Sequence, residues 1–267
     1  RIPSNQGSTR DDGDLLKSKF LKHLSCDSCG SSDANSLYSD GHQFCSVCKN
    51  FIPGDKNIKM EEKIDRPLKI RPIPDSFDSL KERSIGLAAV QRFKVGRLPD
   101  GGHVYPYFNA SGHHIANKVR RGGPKSGNSF FWEGDSSQAT LFGQDTFPAG
   151  SAKTITMVEG ECDAMAAYEL TGNRWPVVSV HSAPAAPKNA ADNFEYLNSF
   201  DNIVICFDRD EAKVNERTGE VHYPGQEAAL TVAAMFPIGK VKILTLRDFK
   251  DPNEYLINGK TDQFVKE

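Results

Sequence analysis

The chain has 267 residues, enough for one or two domains that each bury a hydrophobic core. Its 33 Lys and Arg residues against 35 Asp and Glu residues give a formal net charge of −2. The overall charge therefore does not indicate a nucleic-acid partner, and any nucleic acid must be held by a local basic patch. No run of about 18 apolar residues occurs, which excludes a membrane-spanning helix.

The N-terminal residues 1–20 are polar and mixed in charge. We expect them to form a weakly ordered leader. The chain begins at Arg1 rather than at Met, which indicates a fragment or a processed product, and it carries no signal-peptide pattern.

Four of the six cysteines have the spacing of a metal site. The pattern C-x2-C-x15-C-x2-C is formed by Cys26, Cys29, Cys45 and Cys48. It is typical of a structural zinc site, in which each close pair binds the metal from a tight turn. The alternative is a pair of disulfides or a redox-active pair, which two matched pairs without a secretion signal disfavour. Cys162 and Cys206 stand in apolar surroundings and are predicted to be buried hydrophobic residues.

The segment around these cysteines, residues 21–52, is predicted to be a zinc ribbon. Its residues between the two cysteine pairs alternate in polarity around Asp40-Gly41, which indicates a β-hairpin. The segment is too short for a hydrophobic core, so bound zinc would supply its folding free energy. Residues 53–75 are charged and interrupted by four prolines, which predicts a linker to the rest of the chain.

Residues 76–150 are predicted to form a small, basic, β-rich subdomain. A short helix around Phe77 to Ala89 would precede antiparallel strands between Phe93 and Trp132. No acidic residue occurs from Gly101 to Trp132. The basic residues there are Lys118, Arg120, Arg121 and Lys125. Fixed cations beside glycines suit the binding of phosphate groups, and the alternative is a solvated basic loop without a ligand.

Residues 151–267 alternate between apolar runs and helical patterns. The apolar runs cover 154–158, 177–180, 203–207 and 241–246, and the helical patterns cover 162–170, 188–198 and 226–235. This alternation is typical of βαβ units. It predicts an α/β domain whose parallel sheet carries helices on both faces.

Acidic residues follow three of the four predicted strands. Glu159 follows the first strand, Asp208 and Asp210 close the third, and Asp251 lies beyond the last. Ligands of open α/β sheets bind at the carboxyl ends of the strands, where converging carboxylates need cations. The sequence therefore predicts a magnesium site that could hold two ions. For any single one of these residues, the alternative is a helix cap or a solvated loop.

These motifs carry a family resemblance. The segments EGE at 159–161 and DRD at 208–210 resemble the Toprim signature, which DnaG-type primases, topoisomerases, and some nucleases and recombination mediators share. Together with CDSC at 26–29, SDGH at 39–42 and CSVC at 45–48, their order resembles the primase half of the phage T7-type primase-helicases.

The resemblance implies both a fold and an activity. The fold would be a Toprim-type parallel-sheet domain with a small β-rich N-terminal subdomain, preceded by a separate four-cysteine zinc ribbon. The activity would be that of a DNA primase, a nucleotidyltransferase that makes short RNA primers on single-stranded DNA at a trinucleotide recognised by the zinc ribbon. The implied cofactors are one structural Zn²⁺ and catalytic Mg²⁺, with Mn²⁺ as a substitute.

The resemblance also implies roles for individual residues. The catalytic metals would be held by Glu159, Asp208 and Asp210, with Asp251 as a further candidate. Phosphates of nucleotide or template would be contacted by Lys118, Arg120 and Lys125. The template-reading surface of the ribbon would carry Asp40 and His42.

The implied partners are a single-stranded DNA template, ribonucleoside triphosphates, a helicase domain beyond Glu267 and a replicative DNA polymerase, with no membrane. The implied location is the cytoplasm of a phage-infected bacterium, or a plant organelle, since plant relatives share this layout. Four features depart from the family pattern: Arg209 between the two aspartates, Lys213 at the usual glycine position, an insertion over 214–224, and a loop over 122–127 that is richer in glycine and proline.

Two other functions fit parts of the pattern. A recombination mediator of RecR type combines a four-cysteine zinc site with a Toprim domain and clamps DNA without catalysis. Its zinc site follows a helix-hairpin-helix segment, and no such segment precedes Cys26. A Toprim nuclease would use the same metals and the same charges.

Overall fold

The computed structural model describes residue 18 and residues 20–54, 69–122, 130–214 and 219–267. The chain divides into two compact units, Arg1–Arg66 and Pro67–Glu267. Lys125, residues 55–68 of the predicted linker and residues 1–17 of the predicted leader lie outside the described residues. Across the described ranges, no helix is long and apolar enough to cross a lipid bilayer.

The first unit contains a four-stranded antiparallel sheet. Its strands, in spatial order, are β1 (Phe20–Leu24), β2 (Asn35–Tyr38), β3 (Gln43–Cys45) and β4 (Phe51–Ile52). Strands β2 and β3 form the predicted hairpin, in which Leu37 pairs with Gln43. Gly41 in the connecting turn has a φ of 80°, a left-handed conformation that glycine adopts without steric cost.

The second unit begins with a helix and a second antiparallel sheet. These elements are α1 (Leu87–Phe93), β5 (Gly96–Arg97), β6 (His103–Phe108), β7 (His114–Arg120) and β8 (Phe130–Gly134), and the four strands lie in sequence order. The predicted helix around Phe77 to Ala89 is only partly correct. A 3-10 turn at Lys81–Arg83 ends at Ser84, which has a φ of 54°, and the chain folds back so that Leu80 pairs with Ile85 before α1 starts.

The rest of the second unit is the predicted α/β domain. In chain order its elements are β9 (Thr154–Val158), α2 (Glu161–Leu170), β10 (Val177–Ser179), α3 (Ala186–Asp192), α4 (Phe194–Asn198), β11 (Asn202–Cys206), β12 (Lys213–Val214), β13 (Val221–His222), α5 (Pro224–Ala233), β14 (Val241–Ile243), α6 (Pro252–Ile257) and α7 (Thr261–Phe264). Strands β10, β9, β11 and β14 form one sheet in that order, and all of its pairings are parallel. Strands β12 and β13 form a separate antiparallel hairpin within the insertion.

Helices cover both faces of the parallel sheet, as predicted. Ile155 and Met157 of β9 point into one core cluster, which includes residues of α3 and α5. Val158 points into the other, which it shares with Met165 of α2 and with Tyr105 of the antiparallel sheet. The β-rich subdomain and the parallel sheet therefore share a core, because alternate residues of a strand face opposite sides.

Candidate zinc centre and candidate active site

The four cysteines of the ribbon come together as a tetrahedral donor set. Their Sγ atoms all lie within 4.8 Å of one another, with 3.6 Å between Cys26 and Cys48 and 3.7 Å between Cys29 and Cys45. A tetrahedron of zinc–sulfur bonds of about 2.3 Å has edges of about 3.8 Å. A disulfide would need sulfur atoms only about 2 Å apart. The spacing therefore fits Zn²⁺ and contradicts the disulfide alternative.

The local backbone of the ribbon supports metal binding. The Gly30 amide donates a hydrogen bond to the Cys26 carbonyl, and the Lys49 amide donates to the Cys45 carbonyl, so each cysteine pair sits on a tight turn. A hydrogen bond from the Cys48 amide lowers the pKa of the Cys45 thiol to about 6. A hydrogen bond from the Asn50 amide acts in the same direction on the Cys48 thiol, but desolvation and the neighbouring cysteines raise the pKa of that thiol to about 12. The thiolate is the form of cysteine that binds a metal.

Asp40 and His42 form one small cluster on the ribbon. Nδ1 of His42 lies 2.6 Å from Oδ1 of Asp40, and the His42 ring stacks on Tyr38 with ring centroids 4.1 Å apart. Desolvation opposes ionisation of Asp40, but hydrogen bonds from the amide and ring of His42 lower the pKa of its carboxyl overall. The cluster thus presents an anionic acceptor beside an aromatic face, with exposed Phe51 next to it.

The predicted carboxylates converge at the carboxyl edge of the parallel sheet. Glu159 follows β9, and Asp208 and Asp210 follow β11, its neighbour, in which Cys206 is in register with Val158. All three residues lie next to the first turn of α5. A Cβ atom on Gly225 would lie 2.6 Å from the Asp208 carbonyl oxygen, 3.3 Å from Oδ2 of Asp210 and 3.5 Å from Oε2 of Glu159. Only glycine lets the helix approach the carboxylates this closely.

The electrostatics of this edge favour the binding of a cation. Burial, reinforced by Asp208 and Asp210, raises the pKa of Glu159 to about 7. Burial, reinforced by Asp251, raises the pKa of Asp208 to about 6. Oε2 of Glu159 and Oδ1 of Asp208 are buried and have no hydrogen-bond partner among the described residues. Unpartnered carboxylate oxygens are the ligands that Mg²⁺ prefers, so the donor set fits that ion.

A lysine that the sequence analysis did not single out lies at the same carboxylates. Nζ of Lys250 is 3.2 Å from Oδ2 of Asp208 and 3.8 Å from Oδ1 of Asp210. Across the described ranges, the four cysteines are the only set of three or more Cys, His, Asp or Glu ligand atoms within 4.8 Å of one another. The carboxylates are therefore not gathered to that distance in this structure, and the Lys250 ammonium bridges two of them.

Two further carboxyl groups lie nearby. Asp251 is the N-cap of α6, and its Oδ1 accepts a hydrogen bond of 2.8 Å from the Glu254 amide. Asp163 in the first turn of α2 accepts a bond of 3.4 Å from the Asn253 amide, and burial raises the pKa of its carboxyl well above the usual range. The sequence analysis missed Asp163, although its place in the first turn of a helix after a strand was visible from the pattern.

Lys118 lies in a buried ion pair rather than in an open loop. Its ammonium donates hydrogen bonds of 2.7 Å to Oε1 of Glu161 and to the carbonyl oxygen of His181. The Tyr107 hydroxyl donates a third bond, also 2.7 Å, to the same Oε1, and Glu161 is only 3% exposed. A pocket of about 350 Å³ brings Lys118 to the same surface as Glu159 and Asp208.

Arg120 lies two residues further along β7. Its backbone is paired with His103 of β6 and Phe130 of β8, but its guanidinium has neither an ion pair nor a hydrogen bond to any described residue. Its charge is therefore not neutralised by a described carboxylate.

Two segments of the chain match known families. Residues 21–56 match the zinc-binding domain of primase-helicase, and residues 156–256 match the Toprim-like family. The chain is 32% identical over 265 residues to the DNA helicase/primase of Enterobacteria phage T3. This match covers 93% of the chain and 43% of the phage protein, so the chain spans less than half the length of that relative.

The decisive comparison is with the crystal structure of the primase fragment of the bacteriophage T7 primase-helicase protein. The two chains are 31% identical and superpose with a TM-score of 0.62, and the match covers 92% of this chain and 98% of the fragment. The chain belongs to the primase part of the T7-type primase-helicase family. The resemblance inferred from the motifs is therefore confirmed, together with the Toprim-type fold and the zinc ribbon.

A second solved structure matches this T7-type primase over nearly its whole length. It shows the bacteriophage T7 lagging-strand DNA polymerase interacting with the primase domains of two subunits bound to an RNA/DNA hybrid and dTTP. Its matched chain is 31% identical with a TM-score of 0.57, and the match covers 92% of this chain and 96% of that one.

Proposed function

We propose that this chain is the primer-synthesising part of a DNA primase. It joins ribonucleoside triphosphates into a short RNA on a single-stranded DNA template, starting at a trinucleotide that the zinc ribbon recognises. The observation that carries the proposal is the pair of buried, unpartnered carboxylate oxygens of Glu159 and Asp208 at the carboxyl edge of the sheet. Membership in the T7-type primase family favours nucleotidyl transfer over the nuclease and mediator alternatives.

The carboxylates would hold the catalytic metal. Glu159, Asp208 and Asp210 are the proposed ligands of Mg²⁺, with Asp251 as a further one and Mn²⁺ as a substitute. Bound there, Mg²⁺ supplies Lewis-acid stabilisation of the charge that develops during nucleotidyl transfer. Oε2 of Glu159 and Oδ1 of Asp208 have no hydrogen-bond partner among the described residues, so a bound cation would satisfy these two oxygens.

Basic residues of β7 would position the phosphates. The ammonium of Lys118 is fixed by Glu161 and the His181 carbonyl and faces the pocket that Glu159 and Asp208 also line. A pre-positioned cation loses little entropy when a phosphate binds, and it stabilises charge that develops in the transition state. Arg120 is proposed to contact nucleotide or template phosphates, and Lys125 is proposed for the same role on the basis of its sequence.

The ribbon would select the template. Asp40 is an acceptor for the amino groups of bases, and the stacked His42 and Tyr38 rings, with exposed Phe51, offer surfaces on which unpaired bases stack. The bound Zn²⁺ holds this surface in place, because the ribbon has little hydrophobic core of its own.

The proposed organisation follows the sequence boundaries: ribbon at 21–52, linker at 53–75, β-rich subdomain at 76–150 and catalytic subdomain at 151–267. The phage T3 relative is more than twice as long as the match, which supports a helicase domain in the remainder of the protein. A replicative DNA polymerase is the proposed partner, by analogy with the T7 assembly, and the proposed location is the cytoplasm of an infected bacterium.

The test is primer synthesis on defined templates. The zinc-loaded chain is incubated with ribonucleoside triphosphates, Mg²⁺ and single-stranded DNAs that together contain all trinucleotides, and the products are separated by length. Template-dependent oligoribonucleotides on a subset of the templates are expected. Binding of DNA without synthesis would favour the mediator, and shortened templates would favour the nuclease.

Two variants and one control test the proposed roles of the carboxylates in catalysis and of the ribbon in template reading. Asp208→Asn is expected to abolish condensation while the fold and the zinc content persist, whereas Asp201→Asn, at the exposed start of the same strand region, is expected to leave it unchanged. Cys45→Ser is expected to impair initiation on a template much more than extension of a preformed dinucleotide. Equal loss of both reactions would contradict a template-reading role for the ribbon.

A further inference from the structure

A cleft that does not include Lys118 in its lining lies beside the carboxylates, and Asp210 forms part of its wall. It has a volume of about 820 Å³ and is lined by residues that follow β11, by the base of the β12–β13 hairpin and by the loop before α6. Pockets for small organic ligands typically span about 300–1,000 Å³. The cleft is therefore large enough for a nucleotide. One of the lining residues, Tyr223, belongs to the insertion over 214–224 that departs from the family pattern.

The side chains that line this cleft carry three positive and two negative charges. Arg209, Lys213 and Lys250 line it, together with the carboxylates of Asp210 and Glu211. Asp210 is already engaged, because its Oδ2 accepts a 3.0 Å hydrogen bond from the Gly225 amide at the start of α5. Neither Arg209 nor Lys213 forms an ion pair within the part of the chain that the structure describes. The Arg209 guanidinium donates a hydrogen bond to the Arg247 carbonyl, whereas the Lys213 ammonium has no partner among the described residues. The lining thus has a net charge of +1 beside the proposed site for a divalent cation.

Lys250 belongs to both the cleft and the carboxylate cluster. Its ammonium contacts Asp208 and Asp210, yet its side chain is 48% exposed. Its backbone is fixed, because its carbonyl accepts a hydrogen bond of 2.8 Å from the Arg209 amide and its amide donates one of 2.9 Å to Glu254. A divalent ion at Asp208 and Asp210 competes with the ammonium for the same oxygens. The displaced side chain, anchored at its backbone, would then turn into the cleft that it lines.

We infer that this cleft binds the phosphate chain of a nucleotide, and that Lys250 exchanges Asp208 and Asp210 for phosphate oxygens when a divalent cation occupies those carboxylates. The identity of the nucleotide as a ribonucleoside triphosphate rests on the proposed function. Lys213 and Arg209 supply the remaining positive charge, since anions bind best where fixed cations are unpaired. Tyr223, which is exposed and also lines the cleft, offers a ring face to the ribose or base.

The coupling between metal and phosphate makes the inference testable by binding alone. Isothermal titration calorimetry on the zinc-loaded chain measures two affinities. The first is the affinity for Mg²⁺ alone, and the second is the affinity for inorganic tripolyphosphate in the presence of Mg²⁺. The variants are Lys213→Ala and Lys250→Met, and the matched control is Lys242→Ala on β14, whose exposed side chain lies outside the cleft. Circular dichroism verifies that each variant is folded, and Lys250→Gln provides a second, polar replacement.

The expected result has two parts. Tripolyphosphate binding weakens about five- to tenfold in Lys213→Ala and in both Lys250 variants but not in the control, which corresponds to the loss of one charge-assisted contact. Mg²⁺ alone binds the Lys250 variants more tightly than the original chain, because the competing ammonium is gone.

Two results would overturn the inference. Unchanged tripolyphosphate affinity in Lys213→Ala and Lys250→Met would exclude the cleft as a phosphate site, whatever primer synthesis shows. Weaker Mg²⁺ binding in the Lys250 variants would contradict the exchange of partners. A chain that binds tripolyphosphate as expected but makes no RNA would instead contradict the proposed function and leave the phosphate site supported.

Discussion

Lys118 and Tyr107 share one carboxylate oxygen, because Oε1 of Glu161 accepts hydrogen bonds from both, while the His181 carbonyl accepts a second bond from Lys118. Replacing Glu161 by Gln would leave the ammonium without a countercharge in a largely buried position. We expect Glu161→Gln to lower the free energy of unfolding by about 3 kcal/mol. Tyr107→Phe keeps the ion pair and is expected to lower it by about 1 kcal/mol. Urea unfolding followed by circular dichroism measures both values, and equal small losses would show that the pair contributes little.

The raised pKa of Glu159 predicts how the stability of the magnesium-free protein depends on pH. In the folded state this pKa is about 7, compared with 4.5 for an ordinary glutamate. The folded state therefore binds the proton more tightly than the unfolded chain does. The resulting stabilisation is complete below about pH 4.5 and is lost as the pH rises through 7.

Glu159→Gln removes this titration. In zinc-loaded protein without Mg²⁺, we expect the midpoint of thermal unfolding between pH 5 and pH 8 to fall more steeply for the original chain than for the variant. Adding Mg²⁺ at pH 8 should raise the midpoint of the original chain more than that of the variant, because the ion neutralises the carboxylates. Asp201→Asn is the control. Parallel pH profiles for the original chain and Glu159→Gln would place Glu159 outside the repulsive cluster.

The sequence predicted the convergence of the carboxylates but not the cations that accompany them. Glu159 and Asp208 follow strands of one parallel sheet, and the carboxyl ends of such strands meet at one edge, so pattern alone was sufficient. The contact of Lys118 with phosphates stays a prediction, and the sequence did not predict its ion pair with Glu161, which is distant in sequence. The contact of Lys250 with Asp208 depends on how a loop after β14 folds back onto β11, and no local pattern encodes it.

At the scale of elements, the zinc ribbon is predicted to depend on its metal while the second unit does not. The described ribbon strands have few buried apolar residues, and two of its four cysteines provide much of that burial. Zinc-dependent modules of this kind unfold when the metal is removed.

Chelation of zinc should therefore unfold only the first unit. We expect amide hydrogen exchange over β1–β4 to become fast in the presence of a zinc chelator, while protection in β9 and β11 remains. Cys45→Ser should have the same effect without a chelator, and Cys162→Ser serves as the control because Cys162 is not part of the metal site. Loss of protection in β9 after chelation would contradict independent folding of the second unit.

The bounds of an element could be predicted from the sequence where the hydrophobic periodicity is strong. The prediction failed where the hydrogen bond of a single side chain interrupts an element. The strand at Thr154–Val158 was predicted at its observed bounds because its apolar run is bounded by polar residues. The helix predicted over 188–198 is instead two helices, α3 and α4. Asn193 between them leaves the helical conformation, with a φ of −115°, and its side chain donates a hydrogen bond to the Asn189 carbonyl. Asparagine competes for backbone partners in this way, which a periodicity argument does not capture.

At the scale of the whole molecule, a net charge of −2 predicts that DNA affinity comes from a few local contacts. For single-stranded nucleic acid, the logarithm of the binding constant falls with the logarithm of salt concentration by about 0.7 for each phosphate contact. Arg120 is exposed to solvent in part and has no ion-pair partner among the described residues, so it is a candidate for one such contact.

Arg120→Ala is expected to reduce the magnitude of this salt slope by about 0.7 and to weaken binding at low salt on every template sequence alike. Fluorescence anisotropy of a labelled single-stranded oligonucleotide, titrated at several salt concentrations, measures the slope. Lys242→Ala is the matched control, since it removes the same charge from a different surface and changes the net charge equally. Equal changes in slope for the two variants would show that binding responds to the net charge of the molecule rather than to a contact at β7.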